Sequence, residues 1–294
     1  MRDGEWTLSL PGAEVTWGPA DLPIVNMAAP DLGDVGITDD DTDRPREDGR
    51  AFGQDFRGGR TITVELGVFG DSEAEARATL AGLATAWRGD AVRHTPGAVA
   101  ELRMRHAGRE RVVYGRPRRF ASDETEIHEG VAEVVADFAA VDDVFYAPDE
   151  DSRTVTLAPP TGGGLVAPLA APLTTTATSD RSAGITVGGE LGAWPVLTIY
   201  GPVTNPVVEV VGQWRFELRT TLAYDRSVTV DTRPWARVIL LDGGGSLAGA
   251  VTRSSPRLAA MALPPGPYEL AFRGIDETGT SYLRFAWREA YPTP

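Results

Sequence analysis

The chain has no cysteine among its 294 residues. That excludes disulfides, thiolate zinc sites and cysteine nucleophiles, and it leaves the compartment open, because secreted proteins can also lack the residue. There is no run near the roughly 20 apolar residues of a membrane-spanning helix. The opening residues Met1-Arg2-Asp3-Gly4-Glu5-Trp6 hold no apolar signal core. Such a protein is expected to reach the outside of a cell within an assembly or through lysis. Positive charge is in short supply: 28 Lys plus Arg face 42 Asp plus Glu, for a formal net charge of -14. Gripping nucleic acid needs clustered cations that displace counterions, so this balance argues against it. An acidic surface keeps a protein soluble, or lets DNA slide past without sticking. Histidine is scarce too. His94, His106 and His128 form no HExxH or HxxxH pattern, which leaves a zinc hydrolase unsupported.

What is present suits a folded β-rich protein of about two domains, each long enough to bury a core. Trp6-Thr7-Leu8-Ser9-Leu10 and Glu14-Val15-Thr16-Trp17 alternate around Pro11-Gly12, which predicts a hairpin. Residues 28–59 are rich in Gly, Asp, Pro and Arg, with little periodicity, and read as a long loop. Residues 61–69 predict a strand. Ser72-Glu73-Ala74-Glu75 then fits a capping box, and Ala76, Leu80, Leu83, Ala84 and Trp87 follow at helical spacing until Gly89-Asp90. Strands are expected again at 99–106 and 111–114, flanking the turn Ala107-Gly108-Arg109-Glu110, and at 131–141. The acidic stretch 142–151 marks a boundary, giving domains 1–149 and 150–294. The second half opens with Thr154-Val155-Thr156-Leu157 and the connection Pro159-Pro160-Thr161-Gly162-Gly163-Gly164. Short strand candidates recur at 195–200, 207–211, 215–218, 227–230, 237–241, 268–272 and 281–287, the pattern of a β-sandwich.

Catalytic signals are weak throughout. Asp39-Asp40-Asp41-Thr42-Asp43 resembles the start of a calcium loop. Arg44 stands where the sixth-position glycine belongs, Pro45 follows and no helix flanks the run, so a solvated or interface loop is the better reading. Gly243-Gly244-Gly245 lacks the Lys-Ser/Thr of a phosphate loop, and no G-x-S-x-G elbow exists. Carboxylate pairs such as Asp142-Asp143 and Glu124/Glu126 are expected by chance in so acidic a chain, which leaves a glycosidase unsupported. The basic run Arg116-Pro117-Arg118-Arg119 suits an anion, an acidic neighbour at a subunit contact, or plain solvation.

Four segments, taken in order, resemble the distal tail proteins of long-tailed phages, above all minor tail proteins of phages infecting actinobacteria. The first is Asp48-Gly49-Arg50-Ala51-Phe52-Gly53-Gln54-Asp55-Phe56-Arg57-Gly58-Gly59-Arg60-Thr61-Ile62, a glycine-rich loop entering a strand. The second is the single helix directly after that strand. The third is 131–146, where the family has a strand followed by Asp-Pro and an aromatic; here Asp143 is followed by Val144, with Phe145-Tyr146 supplying the aromatics. The fourth comprises Gly201-Pro202-Val203-Thr204-Asn205-Pro206, Val228-Thr229-Val230-Asp231-Thr232, Leu263-Pro264-Pro265-Gly266 and Ala286-Trp287-Arg288-Glu289-Ala290-Tyr291.

The resemblance implies an N-terminal belt domain (a β-sandwich or split barrel with one helix) that builds a ring, commonly a hexamer, and a C-terminal galectin-like β-sandwich. It implies a non-enzymatic virion protein of the tail tip, assembled in the host cytoplasm, with no cofactor. Its expected partners are the tail tube, the tape measure protein, a tail-associated hub or lysin protein and, in some phages, receptor-binding proteins, with DNA only in transit. Asp48, Gly49, Asp55, Gly58, Gly59 and Arg60 become candidates for inter-subunit contact, since a long ordered loop needs a partner to offset its entropy. Arg116, Arg118 and Arg119 join them. The competing reading is a carbohydrate-binding module in which Trp194, Trp214 and Trp235 stack on sugars; core positions suit these tryptophans better.

Overall fold

Alternating apolar and polar side chains put most of this chain into strands. The computed structural model describes residues 1–157, 182–276 and 278–294, and the connection expected at 159–164 lies outside them. The backbone forms two compact units, Met1–Pro148 with Tyr291–Pro294, and Asp149–Ala290.

The first unit begins with the expected hairpin, β1 (Trp6–Leu10) and β2 (Ala13–Trp17), followed by the short β3 (Ile24–Asn26). Residues 28–59 are not a structureless loop. They hold two nested ladders, β4 (Ile37–Thr38) on β7 (Phe56–Arg57) and, further out, β5 (Thr42–Asp43) on β6 (Arg50–Ala51). Strands of two residues are too short to repeat an apolar alternation, so periodicity could not show them. Then come β8 (Thr61–Phe69), helix α1 (Glu73–Arg88), the single turn α2 (Asp90–Arg93), β9 (Ala100–His106), β10 (Arg109–Asp123), β11 (Val131–Ala140) and β12 (Phe145–Tyr146).

The main sheet runs β2-β1-β9-β10-β11-β8-β3, and Gly18 bridges Val25 in parallel, bringing the two ends together into a nearly closed barrel. The inward residues Leu8, Trp17, Ile62, Val64, Leu66, Leu102, Val134 and Phe138 form its core. Helix α1 adds Ala76, Leu80, Leu83, Ala86 and Trp87, the last with its ring 5.8 Å from Trp17; Ala84 is only half-buried. Each large side chain so buried contributes about 1.5–3 kcal/mol.

The N-terminus of α1 is half of the expected capping box. Ser72 Oγ accepts the Glu75 N–H at 3.3 Å, but the Glu75 carboxylate takes the N–H of Asp71 at 3.0 Å instead of that of Ser72. Gly89, left-handed at φ 63, ends the helix. The second hairpin turns on two residues instead of four, Ala107 (φ 50) and Gly108 (φ 76). Consequently β10 starts at Arg109 and runs through the basic run, with a register shift between Pro117 and Phe120. A bulge tolerates a proline, which has no N–H to offer the ladder.

The second unit is a β-sandwich. One sheet is β13 (Asp151–Thr156), β22 (Tyr282–Trp287), β15 (Val196–Tyr200), β19 (Ser227–Asp231) and β20 (Val238–Leu241), in that order. The other is β14 (Ser182–Val187), β21 (Gly266–Ile275), β16 (Val203–Val210) and β17 (Trp214–Glu217), with β18 (Thr221–Leu222) also on β16. Leu197, Ile199, Val230, Leu283 and Phe285 from the first sheet share one core with Ile185, Val208, Val210, Phe216, Leu270 and Phe272 from the second.

Candidate assembly interface

The nested ladders between β3 and β8 make an arm on which every residue from 42 to 59 is exposed. Asp48 and Gly49 (φ 102) stand in the turn between β5 and β6, where Arg44 donates its N–H to the Gly49 carbonyl at 3.1 Å. Asp55 precedes β7, and Gly58, Gly59 and Arg60 lead the chain back into β8. Nothing in this unit covers the arm's large apolar side chains: Ile37 is 61% exposed, Phe52 87% and Phe56 57%.

Close backbone contact fixes the arm's root. Gly33 leaves β3's flank at φ 69, and a Cβ there would lie 2.1 Å from the Thr61 carbonyl oxygen; Asp31 Oδ1 accepts the Gly33 N–H at 2.9 Å. On the returning side, a Cβ at Gly59 would lie 2.2 Å from the Ala140 carbonyl oxygen, and Gly58 N–H donates to Gly36 at 2.8 Å. Arg60 is the hinge pin. Its guanidinium donates to the Asp143 carbonyl at 2.7 Å and lies 4.5 Å over the Phe145 ring, while its Nε is buried without a partner. Arg57 pairs with the Asp143 carboxylate at 2.8 Å.

Asp142 beside them accepts the Tyr146 hydroxyl at 2.7 Å and the Val144 N–H at 3.2 Å. The bond to Val144 N–H makes an Asx turn at the corner where the resembling family has proline. Burial pushes the Asp142 carboxyl up to about 6. In the sequence Asp142 and Asp143 read as a chance carboxylate pair. The available signal was their place directly ahead of Val144-Phe145-Tyr146, since a carboxylate next to buried aromatics needs a donor, and the glycine-rich loop supplies Arg57 and Arg60.

The other candidates separate. Arg116 spends its guanidinium within the unit, donating to Ala98 and Thr95 carbonyls at 2.8 Å each, whereas Arg118 and Arg119 are exposed. The aspartate run lies along the arm: Asp41 accepts the Gly53 N–H at 3.0 Å, and Arg50 faces both Asp41 and Asp43. Among the described residues, no group of three or more His, Asp or Glu side chains converges as metal ligands would. Trp214 is a core residue stacked on Phe285 at 6.3 Å, which leaves no ring face for a sugar. Trp194 and Trp235 are half-buried under Arg237 and Arg233. Finally, the outer face of β2, β1, β9 and β10 is polar: Thr7, Ser9, Glu14, Glu101, Arg103 and Glu110 line an open groove of about 730 Å³.

No protein-family model and no curated protein matches this sequence. Solved structures do. The Dit protein of phage SPP1, described as a paradigm of the hub adsorption apparatus in phages infecting Gram-positive bacteria, matches 97% of this chain and 98% of its own. The TM-score is 0.56, at 14% identity. The phage P2 baseplate in its activated conformation with Ca gives a TM-score of 0.57 at 11% identity, covering 97% of each chain. The same baseplate with Sr gives 0.55, also at 11% identity. Over nearly its whole length, the chain therefore has the fold of the Dit-like distal tail proteins that its sequence resembles.

Proposed function

We propose that this protein is a non-enzymatic structural subunit of a phage tail tip, forming a ring that joins the tail tube to the hub and host-recognition apparatus. The first unit acts as the belt and the second as a galectin-like sandwich. The observation that carries this reading is the end-to-end fold match to Dit and baseplate chains. The arm supports it: an ordered, exposed segment with three uncovered apolar side chains suits a contact to another subunit. Arg118 and Arg119 add a cationic edge for acidic neighbours. The polar, carboxylate-rich outer face of β2, β1, β9 and β10 suits a channel wall along which DNA and the tape measure protein pass without being held. The carbohydrate-binding alternative has less behind it, because Trp214 is buried.

Light scattering combined with negative-stain electron microscopy tests the ring. The expected result is a closed ring with a central channel, built from about six copies. A monomer at every concentration, alone and with tail tube protein added, would overturn it.

A further inference from the structure

The first unit carries an apolar groove of about 570 Å³ that the arm's own Phe52, Phe56 and Ile37 do not line. Its walls are Trp6, Met27, Ala29, Leu32 and Met104. Met27 stands 52% exposed there. In a chain with a net charge of -14, the lining holds Arg105 and His106 and no Asp or Glu side chain. Arg105 is anchored at the rim, donating to the Met1 carbonyl at 3.0 Å and reaching Asp3 at 3.6 Å.

The arm is the chemical counterpart. It presents Phe52, Phe56 and Ile37 together with the exposed carboxylates Asp39, Asp40, Asp48 and Asp55. Aromatic side chains suit a groove walled by methionines, whose flexible thioethers adapt to a ring edge. The carboxylates suit the Arg105 and His106 rim.

We propose that this groove is the seat for the arm of a second copy of the same chain, with Phe52 as its anchor. A knob and a hole that are different parts of one unit let copies join head to tail, the arrangement that closes into rings. The proposal rests on the ring reading above and names the surface that receives each arm.

The absence of native cysteine makes the test clean. Gln54→Cys and Ala29→Cys proteins, which keep Phe52 and Met27, are mixed and oxidised, with Gln54→Cys plus Tyr224→Cys as the control for random collision between exposed thiols. The expected result is a disulfide-linked heterodimer forming about tenfold faster than in the control, as raised local concentration requires. Unsubstituted protein is followed by light scattering in parallel. Oligomers without preferential cross-linking overturn the proposed seat and leave the ring intact. Monomers without preferential cross-linking overturn both.

Discussion

At Asp142 a carboxyl group is held out of water beside the arm's root, and its proton should be visible in stability. Burial raises its pKa from 3.8 to about 6. Between those values the folded protein binds more protons than the unfolded chain, so stability falls as pH rises from about 4 to 6 and is level above that. The contribution lost is at most about 3 kcal/mol, at roughly 1.4 kcal/mol per pKa unit. Denaturant titrations across this range should show the decline, and Asp142→Asn should flatten it; an unchanged slope would show that another group titrates. Gly33 offers a second test. Left-handed at φ 69 and against the Thr61 carbonyl, it should lose at least about 2 kcal/mol on substitution by alanine, read as a lowered denaturation midpoint. At this scale the loop's glycines and Arg60 stand out in the sequence by composition, whereas the partners Arg60 takes, the Asp143 carbonyl and the Phe145 ring, do not. Arg116 was legible only as a charge. Its two carbonyl partners, Thr95 and Ala98, lie in a loop that the bulge in β10 brings alongside.

Among elements, the hairpin between β9 and β10 uses Ala-Gly where both residues have positive φ, a turn that favours Asn-Gly. Ala107→Asn should therefore stabilise the protein by about 1 kcal/mol, measured by chemical denaturation. Long elements were the readable ones. β8, β11 and α1 each repeat their pattern often enough to declare a period, and most sandwich strands are bounded by Gly or Pro. What escaped was short or weakly patterned. β14 contains Ala183 and Gly184, which carry little strand signal, and its place is set by pairing with β21 from Ser182↔Ala271 to Val187↔Gly266. The arm's ladders are held by partner backbone rather than by apolar alternation, so only the fold could reveal them.

For the molecule as a whole, the charge balance makes a direct claim about DNA. All 28 cationic side chains are arginine, and many are already engaged: Arg273 with Glu209, Arg284 with Glu150, and Arg233 with Asp231. Duplex DNA should show no mobility shift with this protein at physiological salt, since 42 carboxylates outnumber the 28 cations that could release counterions. Replacing Glu14, Glu101 and Glu110 by arginine should create a salt-sensitive shift if that face meets DNA; retention by the unsubstituted protein would overturn the channel-wall reading. Tyr291–Pro294 belongs to the first unit, as does everything up to Pro148. The sandwich is thus an insert carried between two stretches of its host, in the manner of a cassette. A different module could be exchanged between those two points while the first unit kept its arm, its groove and its closing residues, including Tyr291, whose ring lies 3.8 Å beneath Arg111.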